Sequence, residues 1–169
     1  KTNNFFFIEK TLPSHIMYSE RYTKGKTIER LEYLERVEAA NDWIKTLVGH
    51  ITTFDDNAII IIVADHGGLV GLDYLLEAVN KKLNNQEVLS TFSSMLSIKW
   101  SGHTSVKKTE YKSNVNLFRN VFYKLSNNEM LLKNQKENSS YLPLKENGKT
   151  NYYQRIDDDG EFVFEKLEQ

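Results

Sequence analysis

The chain has 169 residues, 40% of them hydrophobic and 12% aromatic, enough to bury a core, so wholesale disorder is excluded. Lys plus Arg (22) balances Asp plus Glu (23), which removes the basic footprint of a nucleic-acid binder. No cysteine means no disulfide framework, zinc-thiolate site or thiol nucleophile, and the longest apolar run, 58–64, is far shorter than the roughly 20 residues of a membrane helix.

Phe5, Phe6, Phe7 and Ile8 form a short apolar run between polar neighbours, which predicts a buried strand. Residues 11–26, with Pro13 and Gly25, have no sustained period and read as a loop long enough to be functional. A helix is predicted over 27–51. Ile28, Leu31, Leu34, Val37, Ala40, Ile44, Leu47, Val48 and Ile51 give its buried stripe, with Glu29, Arg30, Glu32, Glu35, Arg36 and Lys45 mostly opposite. Residues 58–64 hold five consecutive β-branched residues, expected as a strand buried on both faces in a parallel sheet. With strand 5–8 and helix 27–51 they would make a βαβ unit.

Further on, a short helix is predicted over 69–83, a strand near 94–100 and a helix over 114–125. Residues 127–149 read as a polar surface segment. Residues 152–156 and 162–164, around Asp157, Asp158, Asp159 and Gly160, read as a hairpin. That acidic run lacks the ligand spacing of a calcium loop. Trp43 and Trp100 are expected in the core. The fold class is therefore α/β: a mostly parallel sheet covered by helices on both faces, with a C-terminal β-hairpin.

Asp65 and His66 end the predicted central strand and are followed by Gly67 and Gly68. An oxygen and an imidazole nitrogen there are a normal donor pair for a divalent metal. The same pair also suits a plain turn, with Asp65 as its cap and His66 a satisfied polar residue.

The stretch IIIIVADHGG, the preceding helix YLERVEAANDWIKTL, the strand-and-loop FFFIEKTLPSHIMY and the later helix NVNLFRNVFYKL together resemble the alkaline phosphatase and sulfatase superfamily. The likeness is to its sulfatase-like phosphotransferase branch, which includes lipoteichoic acid synthases and phosphoethanolamine transferases. It covers roughly residues 4–125. It implies an alkaline phosphatase-like fold, with residues 1–169 as the C-terminal portion of one catalytic domain and 126–169 peripheral. It also implies a metal-dependent hydrolase or transferase acting on phosphate or sulfate esters. The reaction would run through a covalent intermediate on a nucleophile in an N-terminal part of the domain, absent from this chain.

By motif position, Asp65 and His66 would be metal ligands, for Zn, Mn, Mg or Ca. His15 would contact substrate, with Tyr18 adding a hydroxyl, although Ile16 and Met17 stand where the family loop usually has proline. His103 is a candidate for metal or substrate, or an exposed loop histidine. His50 receives no role. The implied partners are an ester substrate and the N-terminal part of the same domain, with no direct membrane contact by this segment. The implied location is the periplasmic or extracellular face, on a membrane-tethered parent. The alternative is a catalytically inactive binding or assembly module.

Overall fold

A computed structural model describes residues 4–102 and 111–168. In chain order the elements are α1 (Lys26–Phe54), β1 (Ile60–Val63), α2 (Glu77–Asn80), α3 (Asn85–Phe92), β2 (Leu96–Lys99), a 3-10 turn (Asn114–Asn116), α4 (Leu117–Ser126), α5 (Met130–Lys133), β3 (Ser140–Glu146), β4 (Lys149–Ile156) and β5 (Phe162–Lys166). Two small antiparallel sheets result, one of β1 and β2 and one in the order β3-β4-β5. No helix among the described residues is long and apolar enough to cross a membrane.

The parallel α/β sheet expected from the sequence is not formed. β1 pairs antiparallel with β2, Ile60 facing Lys99 and Val63 facing Leu96. The cause lies just after β1. Ala64 N–H donates to Met95 O (2.9 Å), Gly67 N–H to Thr91 O (2.8 Å) and Leu69 N–H to Ser90 O (3.1 Å). The returning chain is thereby laid against the outgoing one, which delivers β2 to the β1 edge and satisfies that ladder. Residues 5–8 are not a strand. Phe5, Phe6, Phe7 and Ile8 are 76%, 80%, 80% and 54% exposed.

Helix α1 forms where predicted, but its first turns face the other way. At roughly 100° per residue, each three-residue step slips the stripe about 60° around the axis. Traced back from Ala40, the run Val37, Leu34, Leu31, Ile28 therefore walks off the face shared by Ala40, Ile44, Leu47 and Ile51. Ile28, Leu31 and Leu34 are 46%, 57% and 47% exposed. Glu29, Tyr33 and Arg36 keep the azimuth of Ala40, and Glu29 is 1% exposed.

The core gathers Ile16, Leu69, Leu72, Ala78, Leu83 and Val88, with Leu142 and Ile156 of the second sheet packed against it. Helix α3 is started by a capping box: Asn84 Oδ1 accepts from Glu87 N–H, and the Glu87 carboxylate accepts from Asn84 N–H. Of the predicted 69–83 helix only α2 is helical. The C-terminal hairpin, β4 with β5, forms as expected around Asp157–Gly160, where Asp157 Oδ1 accepts from the Asp159 and Glu161 amides. Residues 140–146, read as surface chain, are instead a strand paired along β4. Trp43 and Trp100 are half-buried, with the Lys10 and Lys124 ammonium groups over their rings.

Candidate functional site

Two loops that lie far apart in the sequence meet beside α1. Ile16 N–H donates to Gly68 O (3.3 Å), tying the Ser14-His15 loop to the Asp65–Gly68 loop. Ile16, in the place where the resembled family has proline, is a core plug only 1% exposed. Its burial pins the residue next to it, so the His15 and His66 rings lie 6.3 Å apart between centroids, tilted by 27°.

Each imidazole is fixed in the same way. His15 Nδ1 sits 2.7 Å from Ile16 O, and His66 Nδ1 2.6 Å from Gly67 O. A carbonyl only accepts, so Nδ1 carries a proton in both rings, which leaves Nε2 as a lone pair when the ring is neutral and as a second donor when it is protonated. Asp65 divides its two oxygens. Oδ1 accepts from His66 N–H (3.0 Å), the turn-capping role, while Oδ2 stands 3.6 Å from His66 Nε2. The Asp65 side chain is 90% exposed and that of His66 44%, so both remain open to solvent.

The two glycines are required by close approach. A Cβ on Gly67 would come within 2.1 Å of Ser90 O, and one on Gly68 within 2.2 Å of the Tyr33 ring. Ser14 takes a φ of 64°, in the left-handed region seldom used by serine. Such backbone concentrates at functional sites.

The donor chemistry suits a divalent ion in part. Two atoms bound at about 2.1 Å in tetrahedral geometry lie roughly 3.4 Å apart, close to the 3.6 Å between Asp65 Oδ2 and His66 Nε2. A catalytic zinc takes three protein ligands, and no group of three or more such residues is assembled among the described residues. Asp65 and His66 are thus a two-donor corner.

The structure therefore brings together three predicted site residues, His15, Asp65 and His66. Tyr18 is exposed and its carbonyl accepts from Leu76 N–H (3.1 Å), with no hydroxyl bond to the histidine pair. His103 lies outside the described residues. His50 is exposed on α1. Sequence reasoning placed Glu29 and Arg36 on the solvent side of α1, yet both hold the His15 loop. Glu29 accepts from Met17 N–H (3.0 Å) and Lys24 N–H (3.1 Å), and Arg36 donates to Pro13 O (2.9 Å) and His15 O (3.1 Å). Their azimuth, shared with Ala40 and Ile44, is the sequence signal that points to them. A separate groove of about 780 Å³ lies at the end of the β3–β4 pair, lined by Glu146, Lys149 and Lys166 among others, and contains none of the predicted residues.

No protein-family model, curated protein or solved structure matches this chain.

Proposed function

We propose that this chain carries part of a metal-dependent site that hydrolyses or transfers phosphate or sulfate esters. Asp65 Oδ2 and His66 Nε2 are its metal donors, and His15 is its contact to the ester oxyanion. The observation that carries the reading is the His15–His66 pair, with both Nδ1 atoms committed to backbone carbonyls. The antiparallel β1–β2 ribbon supplies no support from fold, so the reading rests on loop geometry and motif alone.

When bound, the metal would act as a Lewis acid toward the ester oxygen and lower the pKa of an attacking hydroxyl. The chain's own residues do the remaining work. Gly67 O holds the His66 tautomer and aims its lone pair outward. Asp65 keeps one oxygen on the turn, which orients the other. Protonated His15 would donate from Nε2 to a phosphoryl or sulfuryl oxygen. The nucleophile and the further donors are assigned to sequence outside these 169 residues.

The test is calorimetric titration of the chain with Zn²⁺ and Mn²⁺, in the wild type and in Asp65→Ala and His66→Ala. Weak uptake lost in both variants is the expected result. Equal heats in all three proteins would remove the metal assignment. Turnover of a nitrophenyl phosphodiester or sulfate by the longer protein, lost in His66→Ala, would separate catalysis from plain binding. A second reading, a non-catalytic docking module, draws on the exposed Phe5–Ile8 run and the outward Ile28, Leu31 and Leu34. Metal uptake without turnover in the longer protein is its expected signature.

A further inference from the structure

The segment carrying His15 lacks regular secondary structure; the buried Ile16 ties it to Gly68 from one side, and α1 grips it from the other. Arg36 Nε donates to Pro13 O at 2.9 Å and Arg36 Nη2 to His15 O at 3.1 Å. A single planar fork thereby grips the carbonyls on both sides of Ser14, the residue with a φ of 64°. The guanidinium lies 5.8 Å from the Tyr33 ring centroid, and that ring abuts Gly68 in the partner loop. One rigid group therefore reaches the His15 loop directly and the His66 loop through a single aromatic ring.

We infer that Arg36 is a positioning residue that sets the His15 imidazole against His66, acting through backbone carbonyls and without touching either ring. This rests on reading the His15–His66 pair as the working part of the site. A carbonyl pair two residues apart demands the fork. Lysine, with one rotatable ammonium, supplies the charge but cannot hold both acceptors in one plane. The buried Ile16, with its N–H on Gly68 O, and Glu29, at Met17 and Lys24, fix the far side of the same loop, so loss of Arg36 frees the Pro13–His15 end while the other end stays attached.

The test reads the two rings directly. Histidine ring resonances of His66 are recorded by NMR in the whole chain, with and without His15→Ala, in four backgrounds: wild type, Arg30→Ala, Arg36→Lys and Arg36→Ala. Arg30 is an exposed arginine of α1 and controls for loss of a helix charge. In the wild type and in Arg30→Ala, removing His15 shifts the His66 resonances. In Arg36→Lys the shift falls at least two-fold, and in Arg36→Ala it vanishes, with far-UV circular dichroism unchanged. Should Arg36→Ala fail to fold, Arg36→Lys alone decides the matter. An undiminished shift in the Arg36 variants, or no shift in the wild type, overturns the inference. Adding Zn²⁺ to the same samples reports on the metal reading separately. His66 resonances that ignore Zn²⁺ but respond to His15→Ala only when Arg36 is present would remove the metal and uphold the positioning role.

Discussion

The ring of Tyr33 occupies the space that a side chain at Gly68 would need, its nearest atom 2.2 Å from the position of a Cβ there. The obstacle is a side chain and not backbone, so it can be relieved. Gly68→Ala is expected to cost about 2 kcal/mol, in the range for overpacked positions. Tyr33→Ala alone removes packing and is also destabilising. The double variant should be more stable than the sum of the two losses predicts, by about 1 kcal/mol or more. Urea unfolding of the four proteins measures the coupling. Strict additivity would mean that the two residues do not share this space.

Gly67 is a different case. There the nearest atom is the Ser90 carbonyl oxygen, 2.1 Å from a Cβ, followed by the Ser90 carbonyl carbon at 2.9 Å. Backbone has to move, and the bonds at stake are Gly67 N–H to Thr91 O and Leu69 N–H to Ser90 O. Gly67→Ala is expected to cost about 3 kcal/mol, the sum of overpacking and a lost backbone hydrogen bond. No substitution of the Ser90 side chain should restore it. Amide exchange at Gly67 and Leu69 reports the break. Protection there equal to the wild type would contradict the contact.

Some of this was legible in the sequence and some was not. The extents of α1 and β1, the helix near 114–125 and the Asp157–Gly160 hairpin follow from apolar period, β-branching and turn chemistry, all of them local. The sheet could not be read the same way. Whether 58–64 pairs with 5–8 or with 94–100 depends on where the chain returns after Gly68, a tertiary matter that composition does not encode. Two local signals were nonetheless present. Asn147-Gly148, both at positive φ (50° and 75°), is a two-residue hairpin turn and announces β3 before β4. Asn84 with Glu87 is a capping box and announces α3. At the site, the pairing of Asp65 with His66 was visible as a motif. The seating of His15 by Arg36 was hidden because charged residues were assigned to solvent by type and not by azimuth.

Glu29 supplies the next test. It is 1% exposed, and its two oxygens accept the amides of Met17 and Lys24, 12 and 5 residues away. Glu29→Ala leaves both amides without their acceptor and should destabilise the chain by about 3 kcal/mol. Glu29→Gln keeps one accepting oxygen and should cost roughly half as much. Hydrogen exchange at Met17 and Lys24 distinguishes the two substitutions. In the glutamine variant one amide stays protected, and in the alanine variant neither does. Loss of protection confined to other residues would show that the loop is held elsewhere.

The Lys81–Glu87 pair gives a prediction in pH. Burial alone would push the Glu87 carboxyl up, but the Asn84 amide and the Lys81 ammonium, 2.9 Å away, outweigh it and hold the group below the ordinary carboxylate range. A carboxyl lowered in the folded state contributes stability that is fully present above its unfolded value. That contribution is lost as pH falls from there through the folded value. For Lys81 burial pulls downward, while its contacts to Glu77 (2.6 Å) and Glu87 raise it on balance. Its contribution is present below the ordinary lysine value and disappears as pH rises through the raised one. Glu87→Gln should therefore narrow the stability gap between pH 7 and pH 3 relative to wild type, and Lys81→Gln the gap between pH 7 and pH 11. Because the Lys81 side chain is 39% exposed, its effect should be the smaller and should shrink further in 0.5 M salt. Urea midpoints across pH for the three proteins carry the test. An acid limb in Glu87→Gln as steep as in the wild type would show that this carboxylate gains nothing from its capping box.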